Sequence, residues 1–102
     1  MKRSRKAGRA VRIWFRQFKD NHMLKDLTVS DYGNDTRTHK VVRALENACG
    51  EMDLSVPVWL EINIRDFKRN AKCRFYQDSF IDPVEFDFLE MQVIEEDFRY
   101  EV

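Results

Sequence analysis

Glycine is scarce in this chain, with three in 102 residues, and there are only two prolines, two cysteines and two histidines. So few glycines cannot furnish a phosphate-cradling loop, and no GxSxG, HExxH or EF-hand pattern occurs. No apolar run approaches the ~20 residues that a membrane helix needs. The basic start, Met1 to Lys6, is followed by no apolar stretch of signal-peptide length. Cys49 and Cys73 stand far apart and form no CxxC pattern. Without an export signal they read as reduced, buried thiols of a cytoplasmic protein. His22 falls in a turn and His39 on the polar side of a helix, so no pair stands at metal-ligand spacing. Together these absences lead to an expectation of no cofactor, no metal and no catalysis.

What the chain does have is core material. Apolar residues make up 43% and charged residues 35%, and eight phenylalanines, three tyrosines and two tryptophans supply large burial units. That is too much apolar content for a disordered chain and enough for one core. The expectation is a single domain over residues 1–102, with 1–9 a flexible basic arm and 96–102 a frayed acidic tail. The net charge is zero, yet residues 1–19 carry eight Lys or Arg and no acid, while residues 82–102 carry eight Asp or Glu and one Arg. A basic strand lying beside an acidic one would neutralise both ends across a ladder.

Val11, Ile13 and Phe15 alternate with Arg12, Trp14 and Arg16, which predicts a strand from Ala10 to Lys19. A three-residue turn, Asp20-Asn21-His22, leads into a second strand from Met23 to Ser30. That loop sets Ile13 opposite Val29 and Phe15 opposite Leu27 on one face. On the other face it sets Arg16 opposite Asp26 and Phe18 opposite Leu24. Asp35 or Thr36 caps a helix reaching Ala48, with Val41, Val42, Leu45, Ala48 and Cys49 as its apolar stripe and Gly50 as its C′ residue. A second helix spans Trp59 to Ala71. Its apolar stripe is Leu60, Ile64, Phe67 and Ala71, beside a basic stripe of Arg65, Lys68, Arg69 and Lys72, although residues 61–64 also read as strand. Residues 73–83 read as irregular, and Val84 to Ile94 as a strand whose parity switches at Phe88-Leu89. The predicted fold is α+β in the order ββααβ: a three-stranded antiparallel sheet, made of the hairpin plus the C-terminal strand, with two helices on one face. The last strand pairs with the first.

That arrangement leaves Trp14, Phe18 and Leu24 on an open sheet face. A patch of this kind points to coverage by a second copy or by another protein, and a protein-interaction or self-associating domain is the leading functional expectation. The second is a small nucleic-acid-binding module. Arg12, Trp14, Arg16 and Phe18 interleave cations with aromatics, and Arg65, Lys68, Arg69 and Lys72 would track phosphates. An isoelectric point near 6.7 lacks the basic bias common to such binders. No membrane partner is expected.

Three segments carry a resemblance: Asp35-Thr36-Arg37-Thr38-His39-Lys40, Phe67-Lys68-Arg69 and Val93-Ile94-Glu95-Glu96-Asp97. Through them the stretch from Asp35 to Asp97 resembles short hypothetical proteins of gut Firmicutes. The resemblance implies a bacterial cytoplasmic origin. No activity is attached to that group, so it transfers no site.

Overall fold

The computed structural model describes residues 10–96. The elements are β1 (Val11–Lys19), β2 (His22–Asp31), α1 (Arg37–Glu51), α2 (Glu61–Asn70), β3 (Lys72–Tyr76), a single 3-10 turn (Gln77–Ser79) and β4 (Phe88–Glu96). The sheet is four-stranded in the order β2-β1-β4-β3, and each neighbouring pair is antiparallel. This corrects the three-stranded ββααβ expectation. The added strand, β3, falls in the segment read as irregular. Its five residues do alternate, with Cys73 and Phe75 buried and Lys72, Arg74 and Tyr76 exposed, but five residues are a short sample of a period of two. The expectations for residues 1–9 and 97–102 lie outside the described residues.

The first and last strands do pair and form the middle of the sheet. The hairpin register holds from Ile13↔Val29 through Arg16↔Asp26. It then shifts, because the turn has two residues rather than three. Asp20 and Asn21 both take left-handed φ, 53° and 67°, the backbone that matches strand twist in a two-residue hairpin. A bulge absorbs the difference, so Phe18 pairs with Met23 and Leu24 is the extra residue. β4 begins at Phe88, not Val84, so the parity switch marks the start of the strand.

On one face, Ile13, Phe15, Phe75, Leu89 and Met91 are wholly buried under both helices. Each large apolar side chain so buried contributes about 1.5–3 kcal/mol. From α1, Val41, Ala44, Leu45, Ala48 and Cys49 enter this core. From α2, only Phe67 and Asn63 are buried, while Ile64 stays 42% exposed, which corrects the predicted stripe. Asn63 is enclosed because its amide works twice. Oδ1 accepts from the Leu60 backbone N–H at 2.9 Å, and Nδ2 donates to the Arg74 carbonyl at 2.7 Å. The first bond satisfies an orphan donor at the helix start and the second ties α2 to β3. Trp59 packs edge-on against Phe67 and Phe75.

Thr36 caps α1, accepting from the His39 N–H at 3.2 Å. The other end departs from expectation, since Gly50 is helical and Asp53 takes the left-handed position at φ 59°. Leu54 N–H donates to the Cys49 carbonyl and Asp53 N–H to the Gly50 carbonyl, the paired bonds of a Schellman stop. The β2–α1 connection is locked by Arg43. Its guanidinium reaches both carboxylate oxygens of Asp31, at 2.7 and 3.0 Å, and both of Asp35, at 3.0 Å each. These bonds hold both carboxyls below the usual aspartate range.

Candidate functional site

Both helices pack on one side, so the other sheet face carries no element of the described chain. The register arranges that face in rows crossing all four strands. The row nearest the hairpin turn is apolar: Met23 and Leu24, then Phe18, Phe88 and Tyr76. The rings of Phe18 and Phe88 stack at 5.2 Å with planes 27° apart, and Tyr76 lies 5.3 Å from Phe88. Met23, Leu24 and Tyr76, at the two edges, are each 49% exposed.

The next row alternates in sign: Asp26, Arg16, Glu90 and Arg74. Glu90 is only 4% exposed and sits between two guanidinium groups. Arg16 forms an ion pair with one carboxylate oxygen, and Arg74 Nε lies 3.0 Å from the other. Burial of a carboxylate is tolerated only with pairing of this kind. Its hydrogen bond, then that of Tyr76, holds Arg74 more firmly protonated than usual. Arg16 also donates to Gln92 Oε1 at 2.8 Å.

The third row is Thr28, Trp14, Gln92 and Lys72, and beyond it stand Ser30, Arg12 and Glu95. Trp14 is already committed within the chain. The Arg16 guanidinium lies 3.9 Å over its ring, and its Nε1 donates to Asp26 Oδ2 at 2.9 Å. Arg12 pairs with Glu95 at 3.0 Å.

The structure therefore gathers Arg12, Trp14, Arg16, Phe18, Leu24 and Lys72 on one face. It does not bring Arg65, Lys68 and Arg69 to them. Those three project from α2, which packs against the opposite side of the sheet. Sequence reasoning missed Met23, Tyr76, Phe88, Glu90 and Arg74 as members of the face. The signal for two of them, Arg74 and Tyr76, was the alternation of Lys72 to Tyr76, which also places Arg74 beside Glu90 once β3 is recognised.

The concave regions offer less chemistry. A cavity of about 450 Å³ at the outer edge of β3 is lined by Leu60, Asn63, Arg74, Tyr76 and Ser79, among others. The Asn63 amide and the Arg74 guanidinium are engaged in the bonds above. Ser79 Oγ is buried there with no hydrogen-bond partner among the described residues, and no histidine lines the cavity. A nucleophile needs a base within hydrogen-bond reach. Burial pushes the Cys49 thiol up to about 11, and burial with nearby Asp66 and Glu90 pushes Cys73 up to about 12, so neither is an activated thiolate. Among the described residues, no three His, Cys, Asp or Glu cluster to hold a metal, and no helix is long and apolar enough to cross a membrane.

No family model, no curated protein and no solved structure matches the chain.

Proposed function

We propose that this chain is a non-catalytic interaction domain that binds protein through the helix-free face of its sheet. The observation that carries the reading is the apolar row from Met23 and Leu24 through Phe18 and Phe88 to Tyr76. It crosses the whole sheet and ends in half-exposed side chains at both edges. Contiguous apolar surface on an otherwise charged face is what a protein interface centre offers. In the neighbouring charged row Glu90 is paired with Arg16 and Arg74, and Asp26 accepts from Trp14 Nε1, so the row frames the patch with its groups already placed. Two buried free thiols fit a reducing cytoplasm.

Nucleic-acid binding is the weaker reading for two physical reasons. Base stacking needs a free aromatic face, whereas Trp14 is covered by Arg16, and Phe18 and Phe88 stack on each other. Phosphate tracking needs unneutralised cations, whereas Arg12, Arg16 and Arg74 each face a carboxylate on the same sheet.

The test is a photo-reactive phenylalanine analogue placed at Leu24, with Glu46 on the exposed side of α1 as the control position. Illumination in cells producing the full chain should give protein adducts at position 24 and far fewer at position 46. Adducts to RNA or DNA at position 24, equal labelling at the two positions, or no adducts would each overturn the proposal.

A further inference from the structure

We infer that the occupant of this face is a second copy of the chain, related by a two-fold axis that runs along the strands between β1 and β4. The inference rests on the proposed interaction role of the face and adds the identity and geometry of the partner.

The argument is the pattern of the rows. A two-fold axis parallel to the strands turns each row end for end and lays it on the same row of the other copy. The charged row then meets its own reverse. Asp26 faces Arg74 of the copy and Arg74 faces the copy's Asp26, so the two exposed charges of the row each meet an opposite, while Arg16 and the buried Glu90 stay paired beneath them. Further along, Arg12 faces Glu95 of the copy. The two exposed intrachain pairs thus merge into a four-membered network. In the apolar row Phe18 meets Phe88, and Met23 with Leu24 meets Tyr76, so both half-exposed edges are covered together. A two-fold axis along the charged row would instead set exposed Asp26 against Asp26 and exposed Arg74 against Arg74. Like charges in contact would exclude that arrangement.

Strand-aligned stacking of two sheets about 10 Å apart, with strand directions within about 30°, is a common packing for open faces. Here it would produce an eight-stranded sandwich with α1 and α2 of both copies on the outside. An isologous contact requires that residue i touch j while j touches i. The Asp26–Arg74 and Met23–Tyr76 relations have that form.

The test uses the purified full chain carrying Met23→Cys and Tyr76→Cys. Within one chain these positions lie on the two edge strands, three strand spacings or about 14 Å apart. That is too far for an internal disulfide. Both side chains are half-exposed, so neither change removes core. Mild oxidation should yield a covalent dimer from the double variant, and from an equal mixture of the two single variants, but not from either single variant alone. Linking of Met23→Cys alone as readily as the pair, or no linking in any sample, would overturn the geometry.

Charge reversal gives an independent measurement. Asp26→Arg and Arg74→Glu should each weaken self-association about tenfold or more in sedimentation velocity. Mixing them should restore the dimer, because position 26 of each then faces an opposite charge at position 74 of the other. Circular dichroism confirms folding of each variant. If position 24 labels other proteins in cells while no disulfide dimer forms, the face is an interface but the partner is not a second copy. If position 24 labels nothing, the interaction role itself fails.

Discussion

Asp53 holds the left-handed position that ends α1, three residues beyond Gly50, which remains helical. Glycine is the usual occupant of the terminating position because it carries no Cβ, and here an aspartate takes it. A Cβ built on Gly50 meets nothing within 4 Å. Gly50→Ala should therefore stabilise the chain by about 0.5–1 kcal/mol. A rise in the urea midpoint checks this. A fall would mean that Gly50, not Asp53, ends the helix.

Glu90 is the only carboxylate of its row that is enclosed, and two arginines depend on it. Glu90→Gln should cost about 3 kcal/mol, at the low end for breaking a buried pair because Arg74 remains half in water. The loss should appear in chemical denaturation of the purified variant. An effect below about 1 kcal/mol would show that Arg16 is held over the Trp14 ring, at 3.9 Å, and Arg74 over the Phe88 ring, at 4.5 Å, instead.

Arg43 sets an acid response. The folded values of Asp31 and Asp35 lie below the ordinary 3.8 because Arg43 hydrogen-bonds both. A carboxyl lowered on folding adds stability that is fully present above its unfolded value. That stability is lost as pH falls through the folded value. Arg43→Met should thus be less stable than the wild type at neutral pH, and the gap should narrow as pH drops below about 3.8. Urea midpoints across that range report it, and a gap that stays constant would exclude the clamp as its source. Gly33→Ala attacks the same clamp by volume. Its Cβ would lie 2.9 Å from Arg43 Nη2 and 3.0 Å from Asp35 Oδ1, so the variant should lose part of the same pH-dependent stability.

The thiols set a base response of opposite sign. Burial raises Cys49 and Cys73 from 9.0 to about 11 and about 12. A group raised on folding contributes stability below its unfolded value and loses it as pH rises through the folded one. Stability should therefore decline from about pH 9 upward, and Cys73→Ala should flatten part of that decline. At neutral pH both thiols should resist alkylation until denaturant is added. Rapid labelling of the native chain would contradict their burial.

The hairpin was legible in the sequence because strict alternation and turn residues coincide there. Ile13↔Val29, Phe15↔Leu27 and Arg16↔Asp26 follow from pattern alone. The last pair, Phe18↔Met23, was not legible. Counting His22 into the loop shifted the register by one residue, and nothing in composition reveals that a bulge at Leu24 takes up the extra residue. The central pairing of β1 with β4 was legible from charge, since a basic strand and an acidic one lie at the two ends of a chain whose middle is nearly balanced in sign. The strand at Lys72–Tyr76 was missed because it begins two residues after a helix and ends in a 3-10 turn, leaving no glycine or proline to mark it. With that strand went Arg74 and Tyr76, and so one edge of the candidate face. The buried Asn63 was illegible for another reason. A polar residue on a helix reads as solvent-facing unless its second partner, here the Arg74 carbonyl, is known.

The sheet order also governs when this chain can fold during its synthesis. The two central strands are the first and the last of the described strands to leave the ribosome, and Arg12 waits for Glu95, 83 positions later. Until β4 emerges, Ile13 and Phe15 have only the hairpin partner and α1 to shelter them. The most distant contacts are therefore also the ones that complete the core, an arrangement that slows folding and prolongs exposure of the nascent apolar strand. Truncation before Phe88 would remove a central strand rather than an edge, leaving β3 with no neighbour and β1 with one bare side.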